Sequence, residues 1–227
     1  MIKESTRHFT KTSDREVRIL VKIDTREGLP EIMRDRGLFI LPTKNGVYIL
    51  IKGEGFYDLT PPPQPVFFTS TLDFELKSAK VGSSEMQHLD YAFNTGLVHH
   101  FLEHTDSLYL QIRGRKYTPE FTFQVGAFSV TAKSVQTEVD AGYEGRDVIV
   151  LVEAKGRTQN NFIIRLLYYP YRQWRIRTQK AVRTVFFSFD SRDETHSFWE
   201  YKFADENDYN SLRLVKSASY RIVEPSG

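Results

Sequence analysis

The sequence predicts an α/β chain, α+β in its finer arrangement: a mixed β-sheet flanked by helices and preceded by a β-rich N-terminal segment. Three observations carry this reading. A run with apolar residues at helical spacing begins at Ser84. Two strand-like runs, Val135 to Asp140 and Val148 to Glu153, follow it around a polar turn at Gly142 to Asp147. A second helical run opening at Asn160 or Asn161 then leads into a β-branched and aromatic strand, Val182 to Phe189.

In chain order, Arg18 to Ile23 alternates apolar and basic residues, and Leu38 to Leu41 is a short apolar run. The Asn45-Gly46 pair separates that run from Val47 to Ile51. Asn-Gly between two apolar runs signals a hairpin, because both residues tolerate positive φ. Thr60 to Pro65 reads TPPPQP, whose prolines forbid a helix and favour an extended connector. It divides the chain into residues 1–65, a β-rich N-terminal subdomain, and residues 66–227, the main core. Ser84 and Gln87 make a capping box, after which Met86, Leu89, Phe93, Leu97 and Phe101 predict one helix to about Glu103. Leu108 to Ile112, a basic turn at Arg113-Gly114-Arg115-Lys116 and a strand over Phe121 to Val125 come next. The second helix carries Phe162, Ile163, Leu166 and Leu167 on one face and is expected to end near Pro170, since proline cannot continue a helix interior. Phe198 to Phe203 and Leu212 to Val223 add further strand.

Composition narrows the function classes. The 31 basic and 29 acidic residues leave a formal charge of +2, so any nucleic-acid footprint must be local. The absence of cysteine excludes a disulfide framework, a thiolate nucleophile and a cysteine-ligated zinc site. No long apolar run and no apolar stretch at the start are seen, so no membrane partner and a cytoplasmic location are expected. His100 and His104 lack the order of a zinc-binding helix and read as helix surface.

The chemistry concentrates in VDAGYEGRDVIVLVEAKG, residues 139–156. In an alternating strand Glu153 and Lys155 project to one face. The apolar run Val148 to Val152 makes this strand central, where a charge needs a partner. A hairpin through Gly142 to Asp147 brings Asp140 beside Glu153, and two carboxylates held together favour a divalent cation between them. Such a site suits phosphodiester hydrolysis. Asp140, Glu153 and the Ala154 carbonyl would hold Mg²⁺, which would lower the pKa of a bound water. Lys155 would orient or deprotonate that water and add positive charge at the transition state.

Asp140 followed by Glu153-Ala154-Lys155 resembles the PD-(D/E)xK nuclease superfamily, with Val139 in place of the usual proline. The flanks QTEVDAGYE, VEAKG and NFIIRLLYYPYRQW are similar to a group of type II restriction endonucleases, as are LPEIMRDRGLFILP, KGEGFYDL and DYNSLRLVKSASYRIV. The chain departs from that group at Leu166, where a glutamine is expected. The resemblance implies a mixed-sheet core flanked by helices, Mg²⁺ as cofactor, double-stranded DNA cut at a short specific sequence, and a cognate DNA methyltransferase. Cutting both strands of a palindrome implies a homodimer. The N-terminal subdomain would then serve DNA recognition or dimerisation.

The resemblance also implies a further glutamate from the preceding helix, and Glu85, in the first turn after Ser84, fits. Glu138 shares a face with Asp140 and would support the metal ligands from behind, with Gln136 beyond it. Arg113, Arg115 and Lys116 suit backbone phosphates, and Arg165, Arg172 and Arg175 suit phosphate or guanine contacts. Rival readings are a repair or junction-resolving nuclease on the same core, a non-catalytic DNA-binding module, and a metal-free glycosylase-type enzyme.

Overall fold

The computed structural model describes residue 10, residues 21–156 and residues 159–224. Arg18 to Leu20, the start of the first predicted strand, lie outside the described residues. A 3-10 turn (Arg26–Gly28) and a short helix α1 (Glu31–Asp35) lead into the hairpin β1 (Leu38–Lys44) and β2 (Val47–Lys52). Gly46 adopts φ 76° between them, as the Asn-Gly signal requires. After β3 (Phe56–Asp58) the proline-rich segment runs into β4 (Val66–Thr69).

The predicted helix from Ser84 to Glu103 is two helices, α2 (Glu85–Asn94) and α3 (Leu97–Leu102). The break falls at Gly96, which takes φ 86°, a conformation that ends a helix and that glycine adopts at little cost. Thr95 helps by turning its hydroxyl back onto the Tyr91 carbonyl at 2.9 Å. Only half of the capping box forms. Ser84 Oγ accepts the Gln87 N–H at 3.2 Å, whereas the Gln87 amide donates to the carbonyls of Ser78, Ala79 and Val81.

Next come β5 (Tyr109–Tyr117), the hairpin β6 (Phe121–Val125) and β7 (Phe128–Ala132), then β8 (Gln136–Glu144) and β9 (Val148–Lys155). Arg113 to Lys116 is therefore not a turn. It lies within β5, where Gly114 (φ 75°) pairs with Val139 at the edge of a register shift against β8. The segment after Asn160 also departs from expectation. Asn161–Ile163 is a strand, β10, paired with β3, and the helix α4 spans Arg165–Arg177 with Pro170 inside it. The missing Pro170 N–H costs one helical bond. Burial of Leu167, Tyr168 and Tyr169 around it carries the helix through, with the Tyr169 hydroxyl anchored on the Pro42 carbonyl at 2.8 Å. The strands β11 (Ala181–Asp190), β12 (Thr195–Phe203) and β13 (Leu212–Val223) complete the chain.

The architecture is mixed α+β around one seven-stranded sheet in the order β4-β13-β12-β11-β9-β8-β5. β9 and β11 are parallel, joined through β10 and α4, while β8 and β5 continue antiparallel from β9. Alternation along the strands divides two cores. Val150, Val152, Val185, Phe187 and Phe198 pack with Leu89, Val98 and Phe101 of α2 and α3. Ile149, Leu151, Phe186, Trp199 and Tyr201 point the other way. On that side Trp174 of α4 joins Ile149 and Leu151, while Leu167 and Tyr168 of α4, with Phe39 and Leu41 of β1, join Phe186, Trp199 and Tyr201. The N-terminal hairpin thus shares its core with residues on both sides of the proline-rich segment.

Candidate active site

The site forms where β8 and β9 stop pairing. Their ladder runs from Glu144↔Ile149 to Ala141↔Val152. One residue earlier, the Asp140 carboxylate replaces the backbone and accepts the Ala154 N–H at 2.7 Å. On the other side of β8 the register shifts, Gly114 facing Val139 but Ile112 facing Gly142. That extra residue is a bulge, a device that re-aims side chains. It falls at Asp140 and Ala141, and the Arg113 Nε donates to the Asp140 carbonyl at 3.0 Å.

Glu153 and Lys155 share the opposite strand, as alternation predicts. The Lys155 ammonium donates to Glu153 Oε1 at 2.7 Å, and both side chains are largely buried. Burial, chiefly, pushes the Glu153 carboxyl up to about 7, with Asp140 adding to the rise and Lys155 opposing it. Burial alone would lower Lys155, but the Glu153 charge and hydrogen bond outweigh it and raise its pKa. Asp140 is also raised, first by burial and then by the charges of Glu85 and Glu138, against the Ala154 hydrogen bond and Lys155. Leu166 and Pro170 of α4 line a small crevice with Glu138, Leu151 and Glu153. The position where the resemblance implies a glutamine therefore meets β9 with an apolar side chain.

Glu85 joins from α2. Its Oε1 accepts the N–H of Gly156, the residue after Lys155, at 2.8 Å. Glu85, Asp140, Glu153 and Lys155 are thus linked through the last residues of β9. Glu138 is exposed and pairs with Arg115 at 3.5 Å across the β5–β8 ladder. Gln136 sits opposite Tyr117 at the far end of β8, and among the described residues no hydrogen bond or ion pair ties it to the site.

Among the described residues no three His, Cys, Asp or Glu side chains converge closely enough to hold a metal ion. Each carboxylate is taken up by a protein donor instead, and each leaves its second oxygen without a hydrogen bond among the described residues. Asp140, Glu153 and Glu85 offer the oxygen donors that a hard divalent cation takes, but they do not converge on one point, and burial holds the Glu153 carboxyl towards its neutral form.

The basic residues separate into distinct roles. Arg113 is held by the Asp90 carboxylate and the Asp140 carbonyl. Arg115 and Lys116 lie on the edge strand β5, Arg115 exposed and Lys116 half-buried. Arg175 pairs with Glu206 at 3.4 Å. Arg172, expected from the sequence to contact DNA, faces inward instead. It is buried, donates to the Glu206 carbonyl and to Tyr168 Oη, and stacks 5.1 Å from the Phe121 ring centroid, so its charge is consumed inside the core.

Two acidic residues of the site were not visible in the sequence. Asp24 pairs with Arg165 at 3.3 Å across 141 residues, and its charge reaches both Glu153 and Lys155. Asp90 holds Arg113. Neither carries a local motif, because each is defined by a partner far along the chain.

Residues 51–221 match the family described as Domain of unknown function (DUF6997). The chain belongs to that family. Glu85, Asp140, Glu153 and Lys155 all fall within the DUF6997 match. Residues 1–50 match a second description, Domain of unknown function (DUF6996), which carries Asp24. The site of this DUF6997 member therefore draws on both matched segments. Comparison with curated proteins and with solved structures gives no match.

Proposed function

We propose that the chain is a Mg²⁺-dependent nuclease hydrolysing phosphodiester bonds in double-stranded DNA. More narrowly, we read it as a type II restriction endonuclease on a PD-(D/E)xK core, working as a homodimer beside a cognate DNA methyltransferase. The observation that carries this is the meeting of Asp140, Glu153, Lys155 and Glu85 at the shared end of β8, β9 and α2. The order α2, β5, β8, β9, α4, β11, a mixed sheet with helices on both faces, agrees with the core that the resemblance implies.

Asp140, Glu153 and Glu85 would hold the metal through the oxygens that no protein donor occupies. When bound, Mg²⁺ supplies a water of lowered pKa and charge neutralisation at the phosphorus. The chain's own residues do the rest. Lys155, raised in pKa, keeps its proton at neutral pH in the metal-free chain, so it serves as a cation for the transition state and an orienting donor. The Ala154 N–H fixes which Asp140 oxygen is held back. Arg115 and Lys116, on the edge strand beside β8, would meet backbone phosphate.

Incubating a defined plasmid with the protein and Mg²⁺, then sequencing the ends, tests the reading. Discrete fragments with one repeated end sequence, abolished by EDTA, are expected. Cleavage restricted to branched DNA indicates a junction-resolving enzyme, and cleavage that survives EDTA indicates glycosylase chemistry. No cleavage of any DNA overturns the nuclease reading.

A further inference from the structure

Arg113 was expected from the sequence to touch phosphate, yet its guanidinium is already engaged on two sides. One edge meets the Asp90 carboxylate on α2, with Nη1 to Oδ2 at 3.2 Å and a closer Nη2–Oδ1 contact. The Nε donates to the carbonyl of Asp140 on β8 at 3.0 Å. These two elements bring the acidic groups of the site together, since Glu85 lies in the first turn of α2 and Asp140 at the bulge of β8. The same elements also touch through Phe93 and Tyr143, whose rings stack at 4.3 Å with an interplanar angle of 9°. The clamp itself is exposed to water, with both side chains more than a third accessible, so its effect lies in the geometry of a fork that meets Asp90 through two nitrogens rather than in a strengthened ion pair.

We infer that Arg113 is a positioning residue: bridging Asp90 and the Asp140 carbonyl, it fixes the spacing between the Glu85 and Asp140 carboxylates. The functional side of this inference rests on the nuclease reading, whereas the geometric side does not. Among the described hydrogen bonds, the clamp alone ties the Asp140 carbonyl to α2. Arginine is required because one planar fork must serve a carboxylate and a carbonyl at once, which an ammonium cannot match. Asp90 belongs to the device equally, since it sets where the guanidinium sits.

Two amides report the spacing directly. Ala154 N–H is held by Asp140, and Gly156 N–H by Glu85. Native-state hydrogen exchange on Arg113→Lys, Arg113→Met and Asp90→Asn is the primary test, with buried amides at Val150 and Phe187 recording global stability. Exchange at Ala154 and Gly156 is expected to quicken by about tenfold in Arg113→Met and less in Arg113→Lys, with the control amides unchanged. Unchanged exchange at both sites overturns the inference, and so does acceleration equal to that of the controls. This measurement needs neither metal nor DNA, so failure of the nuclease reading leaves it decisive.

Where the wild type cleaves, the Mg²⁺ concentration for half-maximal cleavage and the calorimetric Mg²⁺ affinity should shift by roughly tenfold in Arg113→Met. DNA affinity measured in Ca²⁺ should hold its salt slope. A slope reduced by about one ion with Mg²⁺ affinity intact marks a phosphate contact and overturns the inference.

Discussion

Glu153 is the residue on which the site's electrostatics turn. A carboxylate buried at the end of an apolar strand is costly, and the Lys155 ammonium offsets that cost only in part, leaving the pKa near 7. Its folded pKa lies above the ordinary glutamate value of about 4.5, so the folded chain binds the proton more tightly. The stability it contributes is present below about pH 4.5 and is lost as pH rises through 7, each unit being worth about 1.4 kcal/mol. Asp140, also raised, acts in the same direction, while Lys155 remains charged throughout this window. Urea unfolding of the metal-free protein should therefore show the wild type losing stability relative to Glu153→Gln between pH 5 and 8. A difference independent of pH contradicts the burial argument. Arg172 makes the complementary case. With its guanidinium spent on Glu206, Tyr168 and Phe121, Arg172→Ala should lower unfolding free energy by roughly 3 kcal/mol and leave the salt dependence of DNA binding unchanged.

The β5–β8–β9 unit sets the aim of Asp140. A Cβ added at Gly142 would lie 2.5 Å from the Cβ of Ile112, a contact that no rotamer change relieves because it involves the first side-chain carbon. Gly142→Ala should push β5 from β8 and destabilise the protein by roughly 2 kcal/mol, measurable as a lowered Tm. A neutral Tm for that variant contradicts the close approach. At this scale the sequence was most informative where periodicity is strict. β9, β11 and β13 follow the predicted runs closely, and the pairing of Asp140, Glu153 and Lys155 follows from strand alternation plus one hairpin. It misled where one residue type serves two ends. Gly114 has the composition of a turn but lies within β5 beside a register shift, and Pro170 has the character of a helix stop but lies inside α4, because buried tyrosines outweigh one lost hydrogen bond. Asp24 and Asp90 were illegible, since their partners Arg165 and Arg113 lie far away in sequence.

Across the whole molecule, one sheet organises two cores and carries the site at the end of its central strands. Among the described residues no helix is long and apolar enough to cross a membrane. The formal charge of +2 supplies no overall attraction for DNA, so the proposed nuclease would depend on local groups such as Arg115 and Lys116. Replacing both with alanine should weaken DNA binding evenly across sequences and reduce the salt slope by about two. An unchanged slope places the phosphate contacts elsewhere. In the proposed nuclease, Asp140, Glu153 and Lys155 would form one catalytic unit that needs Mg²⁺. Single-turnover cleavage of plasmid DNA by the wild type, Asp140→Asn and Lys155→Ala tests it most directly. A loss of at least about a hundredfold in each variant, with the fold and DNA affinity in Ca²⁺ retained, is the predicted result. Wild-type cleavage rates in either variant contradict it.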